Sequence, residues 1–182
     1  MSMSRMMKVA MVALVLALSG YYLAVLYLAA HPKVSLAYRY YYLELKTRFW
    51  SRYQTLAYVP GTPLDLVVER APYLTRDGWD LPDETGKGSP LNGPGGLYFI
   101  LHRVDGPLRL AGTLTVPVAG CTLTVGQGDW QQTIKFDAAG PNTFAVTVPA
   151  EGLVADPEQP NLVTLTPCEP LFFQSLIMTN LE

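Results

Sequence analysis

The chain has 182 residues and a formal net charge of −2, and that small total hides a division. Residues 1–56 carry seven Lys/Arg against one acid, Glu44, whereas residues 57–182 carry six Lys/Arg against fourteen Asp/Glu. An acidic C-terminal part excludes a nucleic-acid partner on charge, and a basic N-terminal part suits an anionic membrane surface.

In chain order, the first element is the run Val9–Ala30, VAMVALVLALSGYYLAVLYLAA, which carries no charge. As a helix it would be about 33 Å long, enough for a hydrocarbon core of about 30 Å. Arg5 and Lys8 precede it in a short basic N-terminus (1–8), and His31, Pro32 and Lys33 close it. The expectation is one transmembrane helix over 9–30. The alternative is a cleaved signal peptide, with Val9–Leu18 as its apolar region and a cut after Ala17-Leu18-Ser19. The apolar continuation Tyr21–Ala30 favours the anchor, and both readings imply export.

Residues 31–56 predict a second, amphipathic helix beside the membrane. Val34, Tyr38, Tyr41, Tyr42, Leu45, Phe49, Tyr53 and Leu56 recur at helical spacing, and Arg39, Lys46, Arg48 and Arg52 fall largely off that stripe. Aromatics interleaved with Lys and Arg suit a membrane–water interface; packing against the following domain or a partner is the alternative. These basic residues, counted by the positive-inside rule, would keep the domain in the cytoplasm. The signal-anchor arrangement and the cysteines favour the opposite. The expected location is the inner (cytoplasmic) membrane, single-pass, with the C-terminal domain periplasmic or extracellular.

From residue 57 the period changes to two. Strands are expected at Asp65–Glu69, Leu97–Arg103, Leu108–Val116, Cys121–Val125, Gln131–Phe136, Thr143–Val148, Asn161–Thr166 and Leu171–Met178, with Gly, Pro, Asn and Asp between them. About eight short strands over 57–182 predict an all-β antiparallel sandwich or barrel, in a domain large enough to bury its own core. Cys121 and Cys168 lie in strand-like surroundings and are expected to form a disulfide in an exported domain; two buried thiols are the alternative.

Enzyme signatures are missing. No HExxH, CxxC pair, Gly-x-Ser-x-Gly or phosphate-binding glycine loop occurs, and Ser89 and His102 have no recognisable nucleophile context. The longest irregular stretch, 71–96, holds Trp79 and the acids Asp77, Asp80, Asp83 and Glu84. Long loops in compact domains are usually functional or disordered. The acids have no EF-hand spacing, so solvated carboxylates are preferred over calcium, and no metal or cofactor is expected. Trp79 and Trp130, with Asp77 and Asp80, are the candidate ligand-binding residues; for either tryptophan the alternative is a plug at the edge of the core.

Gly78-Trp79, Glu84 and Gly86 in a glycine-rich loop, Gly96-Leu97-Tyr98 entering a strand, then LRLAGTLTV and LTVGQGDWQQTIKF form an order that resembles galactose-binding-like jelly rolls appended to membrane glycosyltransferases and envelope-polysaccharide proteins. The resemblance covers roughly residues 70–150. It implies a jelly-roll-like, non-catalytic, carbohydrate-binding-like accessory domain near glycan synthesis or export, and it assigns no catalytic residue. The expected protein is thus a membrane-anchored accessory or scaffolding subunit, not an enzyme. Its partners would be the lipid bilayer and a membrane complex or glycan. A pilin-like filament subunit is the alternative from another class, and an enzyme of unknown type is the third.

Overall fold

The computed structural model describes residues 2–50, 55–56, 58–68, 71–82 and 86–181. Arg52 and Tyr53 of the expected second helix, and Asp83 and Glu84 of the acidic loop, lie outside the described residues. The chain forms two compact units, residues 1–35 and 36–182.

The first unit is helix α1, Ser2–Ala30. Its segment Arg5–Ala30 is long and apolar enough to cross a membrane, and none of its hydrophobic window is buried by the protein. The helix ends where His31 uses both its backbone N–H and its ring Nδ1 on the carbonyl of Tyr27, each at 3.0 Å, and Pro32 cannot continue it.

The second unit is an antiparallel β-sandwich, as the period-two pattern predicts. Its strands are β1 (Leu64–Asp65), β2 (Ser89–Leu91), β3 (Gly95–Phe99), β4 (Leu108–Val116), β5 (Thr122–Gln127), β6 (Trp130–Lys135), β7 (Gly140–Val148), β8 (Asn161–Pro167) and β9 (Leu171–Asn180). One sheet runs β1-β9-β4-β7, with β2 on the same edge of β9 as β1; the other runs β3-β8-β5-β6. Leu108, Leu110, Leu114 and Val116 of β4 meet Phe144, Val146 and Val148 of β7 and Leu171, Phe173, Leu176 and Met178 of β9 in one buried core, with Leu123, Val125, Val163 and Leu165 from the facing sheet. Phe173 and Leu176 are three residues apart, so strict alternation would send one outward. The register between β4 and β9 shifts at Thr113/Leu114. The extra residue on β9 restores the phase, and both side chains point inward.

Sequence and structure differ most at three places, besides the strand expected at Leu97–Arg103, which is β3 and ends at Phe99. The strand expected at Asp65–Glu69 shrinks to two residues. The Asp65 carboxylate accepts the Val67 N–H at 2.9 Å and turns the chain out of the sheet, leaving Val68 77% exposed. The loop 71–96 is less irregular than its composition suggests. It contains β2, and main-chain bonds tie it down: Thr75 N–H to Gly96 O at 3.0 Å, Tyr98 N–H to Tyr73 O at 2.8 Å and Asp80 N–H to Pro90 O at 2.8 Å.

The third difference is the expected helix over 31–56. Among the described residues only α2, Leu36–Tyr38, and a π-helical turn, Arg39–Leu43, are helical. Leu45 has φ +54°, a left-handed conformation that costs a non-glycine residue about 1–2 kcal/mol and cannot propagate a right-handed helix. Beyond it the backbone pairs with the loop instead: Thr47 bridges Thr75, Arg48 N–H bonds Leu74 O at 3.1 Å and Arg76 N–H bonds Lys46 O at 2.8 Å. Long-range pairing outcompetes helical periodicity here, and it splits the expected apolar stripe: Leu56 is buried, whereas Tyr38, Tyr42 and Leu45 stay exposed. Ala37, Leu56 and Tyr98 form a second small cluster with Leu36, Tyr40, Trp50 and Leu162 around it.

Candidate functional site

The pairing of residues 46–48 with 74–76 brings two distant stretches together. Between them lies an open depression of about 320 Å³ lined by Arg48, Arg76, Asp77, Asp80 and Asn92, with Gly78, Trp79 and Gly93 completing it. Arg48 is its keystone. Its Nη1 donates to the Arg76 carbonyl at 3.1 Å and its Nη2 to the Asp80 Oδ1 at 3.0 Å. The Asn92 Nδ2 donates to the other carboxylate oxygen of Asp80. Arg76 donates from Nε to the Thr47 carbonyl at 3.4 Å, and its guanidinium lies 5.8 Å from the Tyr41 ring centre.

The supporting turn needs a glycine at Gly78. Its φ is +82°, and a Cβ there would lie 2.4 Å from the Pro94 carbonyl oxygen. Gly78 O accepts the Asn92 N–H at 2.8 Å, so the turn and the Asn92 side chain are positioned together. Thr75 locks the floor: its hydroxyl donates to Asp77 O at 2.9 Å and accepts the Gly96 N–H at 2.8 Å.

Two guanidiniums face two carboxylates in this depression, so it carries no strong net charge. Its groups are hydrogen-bond donors (Arg48, Arg76, Asn92) and acceptors (Asp77, Asp80, Asn92) on one rim. That set matches a neutral ligand rich in hydroxyls better than a phosphate or a cation.

The four residues singled out from the sequence do not form one site. Asp77 and Asp80 are exposed on the depression. Trp79 sits between them in sequence, but its ring is 1% exposed and packs edge-on to Phe173 with centroids 5.1 Å apart. It is the edge plug of the core and has no face on which a sugar could stack. Trp130 starts β6 at the far edge of the four-stranded sheet, three strand spacings or about 14 Å from β3. It is half-buried against the core.

Arg48, Arg76 and Asn92 escaped sequence reasoning. Arg48 read as the polar face of a helix, and nothing local announces the Thr47–Thr75 pairing. Asn92, two residues after a turn-like Pro90 and next to Gly93, was the one visible signal.

Elsewhere the chemistry is quiet. The Ser89 hydroxyl is buried and donates to Leu66 O at 2.9 Å, while His102 is exposed. Among the described residues no three His, Cys, Asp or Glu converge as metal ligands would. Cys121 and Cys168 are disulfide-bonded, with Cα atoms 5.8 Å apart. Burial pushes the phenols of Tyr58 and Tyr98 above the ordinary tyrosine range, and the hydrogen bond to Glu44 raises the Lys46 ammonium.

No family model matches the chain, and no curated protein does. Solved structures do. The chain is similar to a carbohydrate-binding module of Cellvibrio mixtus lichenase 5A in complex with cellotriose, at 12% identity and TM-score 0.43 over 68% of this chain and 100% of that one. It is similar to the C-terminal CBM6 of LamC from Zobellia galactanivorans, at 13% identity and TM-score 0.42 over 65% and 100%. It also matches an uncharacterised Listeria monocytogenes protein in complex with glucose, magnesium and calcium, at 20% identity and TM-score 0.35 over 47% of this chain, which is 8% of that chain's length. Identities of 12 to 20% and TM-scores of 0.35 to 0.43 leave ligand and activity to be argued from this chain's own residues.

Proposed function

We propose that this protein is a membrane-tethered binding module. In this reading α1 anchors it in the inner (cytoplasmic) membrane. The disulfide-bonded sandwich lies on the periplasmic or extracellular side, as an accessory or scaffolding subunit of an envelope-polysaccharide or other membrane complex. The depression around Arg48, Asp80 and Asn92 takes a neutral glycan.

The observation that carries this reading is the Arg48–Asp80–Asn92 network: charge-balanced, open to solvent, and held on backbone that cross-links two loops. Sugar hydroxyls donate to carboxylates and accept from guanidinium and amide groups, so planar polar side chains of this kind can bind them without a cofactor. The apolar α1 supports the tether, because its segment Arg5–Ala30 is long and apolar enough to cross a membrane.

The test is capture of neutral envelope polysaccharides by the full chain in lipid nanodiscs, with Asp80→Ala and Asn92→Ala for comparison. Capture by the unchanged protein and its loss in both variants supports the assignment. Capture that survives both changes, or none by the unchanged protein, rejects it.

A further inference from the structure

The unit 36–182 has a concentration of exposed large apolar side chains at one place, where Tyr42 also packs against the rings of Tyr38, Tyr41 and Trp50. Tyr38, Tyr42, Leu43 and Leu45 fall within eight consecutive residues, with Tyr42, Leu43 and Leu45 at 53%, 53% and 52% exposure. The other exposed large hydrophobics of this unit, such as Val118 and Val154, are scattered singly, which is normal for a surface. The π-helical turn and the left-handed Leu45 present this cluster, and Tyr40 and Tyr41 on the same turn face inward, Tyr40 against Tyr98 at 5.3 Å and Tyr41 beneath Arg76.

The charges around the cluster have a definite arrangement. Arg39 and Lys46 both reach Glu44, at 3.2 and 2.7 Å, leaving one positive charge in excess there. Both also lie over the Tyr40 ring, at 5.5 and 4.9 Å, with their heads exposed. Partly exposed basic heads set beside tyrosine rings are the composition of interfacial segments. Arg48 is turned away, to Asp80.

Only His31–Ser35 and the three residues of α2 separate the end of α1 from this turn. The five residues before α2 reach at most about 18 Å when fully extended, so the turn is tethered within reach of the headgroup zone, about 5–8 Å deep on each side of the hydrocarbon core. We infer that Tyr42, Leu43 and Leu45, with Arg39 and Lys46, form a seat by which the sandwich rests in the headgroup layer of the bilayer that holds α1. The inference takes from the reading above only that α1 is embedded. With a small charge excess, apolar insertion leads and anionic lipid strengthens it. The seat would hold the domain in one orientation and so decide how far from the membrane its binding depression is presented.

The test uses the full chain in nanodiscs, with a benzophenone amino acid placed at Leu43, Leu45, Val118 or, within α1, Leu16, and lipid adducts read by mass spectrometry. Adducts at Leu43 and Leu45 as well as Leu16, absent at Val118, support the seat. They should increase when phosphatidylglycerol is added to phosphatidylcholine, and fall severalfold in Arg39→Gln/Lys46→Gln but not in Arg48→Gln. Adducts at Leu16 alone leave the anchor standing and overturn the seat. Adducts at none of the four overturn both. Crosslinks from Leu43 and Leu45 to a protein in native membranes, without lipid adducts, replace the bilayer by a protein partner and overturn the inference.

Discussion

The indole N–H of Trp79 donates to the carbonyl of Gly96 at 3.0 Å inside the core. The contact is close on both sides, since a Cβ on Gly95 would come within 2.9 Å of the Trp79 ring. The ring therefore closes the end of the sandwich, while the backbone on either side of it shapes the polar depression. One residue links core stability to the proposed site.

Trp79→Ala should cost about 3–5 kcal/mol, as deletion of a buried aromatic does. Trp79→Phe should keep most of the packing and cost less, about 1 kcal/mol, because the Gly96 carbonyl loses the indole donor but keeps the Thr75 N–H. Denaturant titration of the two variants checks both. Equal small losses in both would mean that the ring is not buried as described.

Arg48→Gln should separate binding from folding. The Arg48–Asp80 pair is partly exposed, and pairs of that kind contribute on the order of 0–1 kcal/mol. The melting temperature should barely move, while glycan capture falls because Asp80 loses the group that orients it. A variant that unfolds would instead make Arg48 a structural cross-link.

The Cys121–Cys168 bond closes a loop of 47 residues. In the chain-entropy model its removal in a double Cys→Ser variant lowers stability by about 4 kcal/mol. Alkylation of the native, unreduced protein should label neither cysteine; labelling of both would show that the domain is not in an oxidising compartment.

Tyr58 gives the pH dependence. Its hydroxyl donates to Thr62 O at 2.7 Å and accepts the Met178 N–H at 3.0 Å. Burial raises its pKa above the usual 10.0. A raised folded value means that its contribution is complete below the unfolded value of about 10 and is lost as pH climbs through the folded one. Stability should therefore fall above about pH 10, with buried Tyr98 adding in the same direction. In Tyr58→Phe that alkaline fall should shrink, and stability at neutral pH should drop by about 1–3 kcal/mol because two backbone groups lose their partner. An unchanged alkaline profile would place the titration elsewhere.

Local pattern was enough for the elements whose neighbours impose nothing unusual. The apolar run ending at Ala30 can only be a long helix, because nothing in it breaks helical hydrogen bonding and nothing in it is polar enough for a soluble surface. Strand β4 has the bounds Leu108–Val116 that its alternation predicts, since period two has one solution when one face must be buried. The cysteines pair as their strand settings suggest. Tertiary structure decided the rest. Residues 36–50 carry helical spacing, but the helix stops after Leu43 and residues 46–48 pair with residues 74–76; periodicity records only which side chains want cover, not which surface supplies it. Trp79 and Asp80 are adjacent in the chain and opposite in fate, one in the core and one on the depression, because the bridge between Trp79 and Leu91 turns alternate side chains to opposite faces. Arg48 reaches Asp80 across 32 positions, and a contact of that separation exists only once both segments are fixed by packing that no local pattern encodes.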